Sequence, residues 1–229
     1  MKTLGLVGGM SWVSTAEYYR LANERVAERL GGLHSAPILM ESVDFAEIEE
    51  LKRADRWDEV GARLAGAAVR LEIAGAEVLV LCTNTMHHVA DAIEAVTTVP
   101  FVHLADTTAY AVRAAGLQRV GLLGTLFTME QAFYRDRVAS HGLDVLVPDA
   151  DDRAKVSDII YDELCHDVVT DPSKAYYLDV VDRLVAAGAE GIILGCTEIE
   201  LLIGADDLDV PAFPTTRLHV EAAVDLALG

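Results

Sequence analysis

Short apolar runs alternate along this chain with longer segments whose apolar positions recur at helical spacing. The alternation predicts strands over residues 2–8, 36–43, 77–82 and 100–103, and again over 119–124, 143–147, 190–195 and 210–213. Helices are predicted over 15–30, 57–74, 86–96, 106–115, 129–140, 152–167, 172–187 and 215–228. Runs such as VLVL (78–81) and GIIL (191–194) are apolar at every position, which suits parallel strands covered on both faces. The pattern is that of an α/β protein.

The same pattern is written twice. The segment KTLGLVGGMS (2–11) corresponds to RVGLLGTLFT (119–128), with Gly5 and Gly8 matching Gly121 and Gly124 at a spacing of 116. The unit A-G-A-E occurs at 74–77 and 187–190, and VPFV (99–102) answers VPAF (210–213). Matches in the same order with a slowly drifting spacing indicate a duplicated unit. The expected architecture is therefore two pseudo-symmetric lobes, each a short parallel sheet flanked by helices. Residues 1–103 with 214–229 are expected to form the first lobe and 104–213 the second. Ligands of such folds bind beyond the C-terminal ends of the strands, which places the expected active site in the cleft between the lobes.

Composition narrows the function. The 229 residues are 52% hydrophobic and 24% charged, enough apolar material for a packed core. A net charge of −19 argues against nucleic acid, whose binding needs phosphate neutralisation by Lys and Arg. No apolar run approaches the roughly 20 residues that span a bilayer, so no membrane partner is expected. Three cysteines and no signal-peptide pattern point to a cytoplasmic protein with reduced thiols. No C-x-x-C or H-x-x-x-H spacing marks a metal site, and no lysine is marked for a Schiff base.

The chemistry is concentrated in the loops after the strands. In the glycine turn after the first strand, Ser14 with Glu17 fits a capping box, as Thr128 with Gln131 does in the second copy and Thr197 with Glu200 after residues 191–194. Aligning the A-G-A-E units, 113 residues apart, brings Thr83 opposite Cys196. A cysteine opening a helix is expected to have its thiolate favoured by the helix dipole. Two acid/base groups on opposite faces of one carbon are what inversion of a stereocentre requires. Cys82, one residue before Thr83, is expected to point the other way, because successive strand side chains alternate. Cys82 and Cys165 are expected to be structural, and His34, His103, His141 and His219 carry no signal of their own.

The segments KTLGLVGGMSW (2–12), CTNTMHH (82–88), LGCTEIE (194–200) and the two V-P segments together resemble the aspartate/glutamate racemase branch of the Asp/Glu/hydantoin racemases over nearly the whole chain. The resemblance implies a cofactor-independent amino-acid racemase acting by two-base proton transfer, working without pyridoxal phosphate as a homodimer. It implies Thr83 and Cys196 as the catalytic pair, with threonine standing where the family pattern has a cysteine. Met10, Ser11, Asn84, Thr85, Thr125, Thr197 and Glu198 are the implied substrate contacts. Where relatives that prefer acidic side chains carry a lysine, this chain has Cys165, which leaves Lys52, Arg53 or Lys155 as candidate cations, with Lys52 foremost. Because a hydroxyl is a poor base, two other expectations stand beside racemisation. One is a decarboxylase or isomerase using a single thiol. The other is an amino-acid-binding protein without catalysis.

Overall fold

The computed structural model describes residues 1–229, and these divide into two compact units. One comprises Met1–Leu104 with His219–Gly229, the other Ala105–Leu218. The first unit holds strands β1 (Leu4–Gly8), β2 (Ile38–Ser42), β3 (Val78–Leu81) and β4 (Phe101–Val102). Its helices are α1 (Trp12–Leu30), α2 (Phe45–Arg53), α3 (Trp57–Ile73) and α4 (Ala90–Glu94). Helix α5 (Leu104–Ala114) leads into the second unit, which holds β5 (Arg119–Leu123), α6 (Leu126–Glu130), α7 (Ala132–Ser140), β6 (Asp144–Leu146), α8 (Ala150–Asp162), α9 (Asp171–Ala186), β7 (Ile192–Leu194) and β8 (Ala212–Pro214). The last helix, α10 (Thr215–Leu228), begins in the second unit and ends in the first.

All pairings are parallel, and the strand orders β2-β1-β3-β4 and β6-β5-β7-β8 are the same arrangement used twice. The central strands β1 and β3 of the first sheet are buried throughout, as their apolar runs predict. Leu4, Leu6, Val78, Val80 and Cys82 pack with Tyr18, Leu21 and Val26 of α1 and Val220 and Val224 of α10. Val7, Leu79 and Leu81 pack on the opposite side with Ile48 of α2 and Val60, Leu64 and Leu71 of α3.

The repeated sequence units have the same physical work in both copies. Gly75 and Gly188 follow helices α3 and α9 with φ of 105° and 102°, a conformation that favours glycine. Ala76 N–H reaches Leu71 O and Gly75 N–H reaches Glu72 O, while Ala189 and Gly188 make the same two bonds to Leu184 and Val185. This is the Schellman arrangement that closes a helix C-terminus. The glutamate of each unit then accepts amides where the central strand begins: Glu77 from Thr3 at 2.9 Å, and Glu190 from Gln118 at 2.7 Å and Arg119 at 2.9 Å. Gly5 and Gly121 are needed for close approach. A Cβ there would lie 2.7 Å from the Ala76 side chain in one copy and 2.8 Å from Ile192 in the other.

Several local expectations are corrected. Helix α1 begins at Trp12, capped by Ser11, whose Oγ accepts the Ser14 N–H at 3.2 Å. Thr125, and not Thr128, caps α6, and the expected helix over 129–140 is broken at Gln131, which is extended. The segment 86–96 is a 3-10 turn (Thr85–Val89) followed by the short α4, and 152–167 ends in another such turn at Leu164–His166. Helix α2 was not apparent in the sequence. Its nine residues bury only Ile48, too weak an apolar stripe to be read without its neighbours. No helix is long and apolar enough to cross a membrane.

Candidate active site

In each unit the two central strands end side by side, and their loops carry the candidate residues. In the first unit Val7 pairs with Leu81, and the Cys82 N–H reaches Val7 O at 2.9 Å. The Gly9–Ser11 loop therefore lies beside the loop that begins at Thr83. Gly9 has φ +98°, and its N–H donates to Thr15 Oγ1 at 2.8 Å, while the Thr15 hydroxyl donates to Ser11 O at 2.8 Å. A Cβ on Gly9 would sit 2.2 Å from the Val43 carbonyl oxygen. Gly9→Ala is expected to destabilise the protein by about 2–4 kcal/mol. A lower urea midpoint at unchanged slope would register this, and an unaltered midpoint would contradict the loop geometry.

The sequence candidates in this unit are offered unequally. The Met10 side chain is buried in the core at 4% exposure, which leaves its peptide group as the part that could meet a ligand. Thr83 is half-buried two residues beyond the end of β3, with its own N–H on Leu81 O at 2.8 Å. Asn84 is buried, and half-buried Thr85 opens the 3-10 turn. Cys82 is fully buried among Leu4, Leu6 and Tyr18, so it faces the α1 side of the sheet. Burial pushes its thiol far up. Lys52 is on α2 with Nζ 2.7 Å from Glu49 Oε1, its charge already partnered.

The second unit repeats the arrangement. Leu123 pairs with Leu194, and Gly195 N–H reaches Leu123 O at 2.7 Å, which sets the loop containing Thr125 beside Cys196. Thr125 is buried, with Oγ1 3.2 Å from Thr128 Oγ1. Cys196 is half-buried at the head of the 3-10 turn Thr197–Leu201. Its Sγ–H donates to Glu198 Oε2 at 2.8 Å, and the Thr197 hydroxyl donates to the same oxygen at 2.6 Å.

These contacts overturn the expectation of a dipole-lowered thiol. Desolvation, then the Glu198 carboxylate, hold the Cys196 thiol well above its ordinary value. One 3-10 turn offers little dipole, whereas a carboxylate at hydrogen-bond distance opposes a second negative charge. Thr197 is not the cap as expected: Cys196 holds that position, and the Thr197 hydroxyl donates to Glu198. Cys165 is exposed, not structural core, because it falls in the turn after α8. Its thiol is partly shielded, and that shielding together with the Glu198 carboxylate raises it to about 11.

The sequence reading missed the surroundings of Thr83. His87, His103 and His219 form a buried cluster in the first unit, with the His87 ring 4.7 Å from His103 and 5.5 Å from His219 between centroids. His87 Nδ1 lies 2.7 Å from Thr83 O, and its Nε2 accepts the Leu104 N–H at 3.2 Å. His219 Nε2 lies 2.7 Å from Val102 O, and its Nδ1 lies 2.9 Å from the Tyr18 hydroxyl. Desolvation and the neighbouring rings keep His87 well below the usual imidazole range, and desolvation brings His219 to about 4. Only the H in N-T-M-H, four residues past Thr83, could have signalled this.

A duplicated four-stranded parallel unit with polar loops at its central strand ends defines the class as a duplicated α/β fold. The chain belongs to the Asp/Glu/Hydantoin racemase family, whose sequence profile matches residues 7–223. It is 52% identical to a Yersinia pestis protein with a provisional Asp/Glu racemase assignment, at TM-score 0.97 with 100% of both chains covered. It is 31% identical to an aspartate racemase homologue from Pyrococcus horikoshii OT3, at TM-score 0.91 and again with 100% of both chains covered. At 16% identity the fold is also that of arylmalonate decarboxylase, with TM-score 0.58, covering 100% of this chain and 94% of the other. Family membership marks the chain as an enzyme of the racemase type.

Proposed function

We propose that the protein is a cofactor-independent amino-acid racemase in which Cys196 and Thr83 act on opposite faces of the substrate α-carbon. The observation that carries the reading is the matched placement of these residues. Each follows the second central strand of its own four-stranded unit, beside the loop of the first. The substrate class is an amino acid such as aspartate or glutamate, and the working form is a homodimer in the cytoplasm.

In the forward direction the Cys196 thiolate takes the α-proton, and the C–H bonding pair moves into the substrate carboxylate as an enolate. A proton from the Thr83 hydroxyl then reaches the far face, and solvent restores it. In this reading donors at Met10–Ser11, Asn84–Thr85, Thr125 and the Thr197 backbone hold the carboxylate and its growing charge. Threonine is a poor base, so the direction in which Thr83 must abstract is the slow one.

The test is proton NMR in D₂O, offering each enantiomer of aspartate and glutamate and following loss of the α-hydrogen together with product chirality. Thr83→Ala is expected to lower inversion by about 10²-fold or more while leaving Cys196-face exchange in the recovered starting enantiomer. Inversion that survives Thr83→Ala would remove Thr83 from the mechanism. Loss of carbon dioxide without inversion would move the chain to single-thiol decarboxylation, and binding without exchange would make it a non-catalytic binder.

A further inference from the structure

Thr83 leaves β3 with its backbone held on both sides. Its N–H donates to Leu81 O at 2.8 Å, and its carbonyl lies 2.7 Å from His87 Nδ1. The protonation of that ring is settled by its other nitrogen. A backbone N–H can only donate, so Nε2, which meets Leu104 N–H at 3.2 Å, is the acceptor. In the neutral ring the proton then sits on Nδ1, aimed at Thr83 O. A charged imidazolium would set an N–H against the Leu104 N–H.

The ring is itself fixed from several sides. His103 and Phe101 lie 4.7 and 5.8 Å away, and His219 lies 5.5 Å away. His219 grips the same stretch of chain, with Nε2 2.7 Å from Val102 O, and the Tyr18 hydroxyl 2.9 Å from Nδ1 fixes its orientation in turn. Two imidazoles thus tie Val102 and Leu104, at the end of β4, and the His87 ring joins that segment to the Thr83 carbonyl.

We infer that His87 is a positioning residue for Thr83: its Nδ1–H fixes the Thr83 carbonyl, and so the direction in which the Thr83 side chain leaves the backbone. The role rests on the racemase reading above. It touches no substrate and acts only through Thr83, so it bears on the Thr83 face of the reaction and not on the Cys196 face. A displacement of about 1 Å of an acid/base group costs on the order of 10²-fold in rate.

The experiment compares His87→Asn with His87→Gln in the D₂O assay, reading inversion and Cys196-face exchange separately. The asparagine amide can place an N–H near the Nδ1 position, whereas glutamine reaches the Nε2 position and leaves Thr83 O without its donor. His87→Gln is expected to lower inversion by about 10²-fold while changing exchange in the starting enantiomer by less than about 3-fold. His87→Asn is expected to recover most of the inversion. Retained Cys196-face exchange confirms that the variants are folded. Equal loss of both readouts in His87→Gln, or inversion within about 3-fold of wild type, overturns the positioning role. A folded His87→Asn that fails to recover inversion overturns the donor argument. Wild-type protein silent in the assay overturns the racemase reading and the role with it. Long-range ¹H–¹⁵N spectra of histidine-labelled protein test the geometry independently: a His87 proton on Nδ1 is expected, and one on Nε2 overturns it.

Discussion

Cys196→Ala is expected to lower α-hydrogen exchange by about 10³-fold or more for either enantiomer, because it removes the thiol at the strand end. Cys82 is fully buried on the α1 side of the first sheet with its thiol pushed far up, and threonine is a poor base. The partner of the thiol sets how the rate responds to pH. Desolvation and Glu198 keep Cys196 protonated at neutral pH. The thiolate fraction, and with it the exchange rate, is therefore expected to climb with pH from neutrality into the alkaline range. Since the residue is only half-buried, the 2.8 Å carboxylate contact is the firmer of the two causes. Glu198→Gln removes that negative charge and lowers the thiol pKa, so the climb is expected to begin at lower pH and the rate at pH 7 to rise. A Glu198→Gln profile that loses rate at every pH without shifting would mean that Glu198 receives the thiol proton instead of opposing its loss.

The second large effect is on stability in mild acid. His87 and His219 are neutral in the folded protein and regain the ordinary imidazole pKa near 6.5 when unfolded. Below about pH 6.5 the unfolded chain binds protons that the folded chain does not, so stability must fall as pH falls. For His219, at about 4 when folded, the loss continues to about pH 4 and amounts to about 2 kcal/mol by pH 5. His87 adds to it in the same direction. Carboxylates lowered in the fold, such as Asp152 and Asp207, also lose stability in acid, but only below about pH 5, where unfolded carboxylates begin to protonate. The window from pH 7 to 5 therefore isolates the histidines. Urea midpoints at pH 7.5, 6 and 5 should decline steadily, and His219→Gln should flatten the decline. A pH-independent midpoint over this range would show that the cluster is not held neutral.

The strand ends carry the comparison between sequence and structure furthest. All eight strands lie at the predicted segments; central strands such as β3 and β7 are apolar at every position because they are buried on both faces, whereas the edge strands β2 and β6 mix apolar and polar residues. The duplication was legible because its units are stereochemical necessities. Glycine closes α3 and α9 at positive φ, glutamate caps the amides of the strand beginning beside it, and Gly5 and Gly121 admit close neighbours. The pairing of Thr83 with Cys196 followed from that register alone.

Short-range polar geometry was not legible. Three capping boxes fit the spacing rule, yet Ser11 and Thr125 cap their helices and Thr197 turns to Glu198. A spacing says which side chains are near in sequence, not which amide is left without a partner. The protonation of Cys196 was misread for a related reason. A helix start is visible in sequence, but the Sγ to Glu198 contact depends on the turn being 3-10 and on how far it is buried. The histidine cluster lay furthest out of reach. His87, His103 and His219 meet only because β4 lies beside β3 and α10 packs under the same sheet, bringing together side chains more than 100 residues apart. The sequence by itself determined the strands, the duplication and the matched places of Thr83 and Cys196 within it, since each is dictated by burial and backbone stereochemistry. Only the tertiary structure decided which groups are neutral, which are charged and which way they are held, since desolvation and hydrogen-bond geometry belong to a place in the fold and not to a position in the chain.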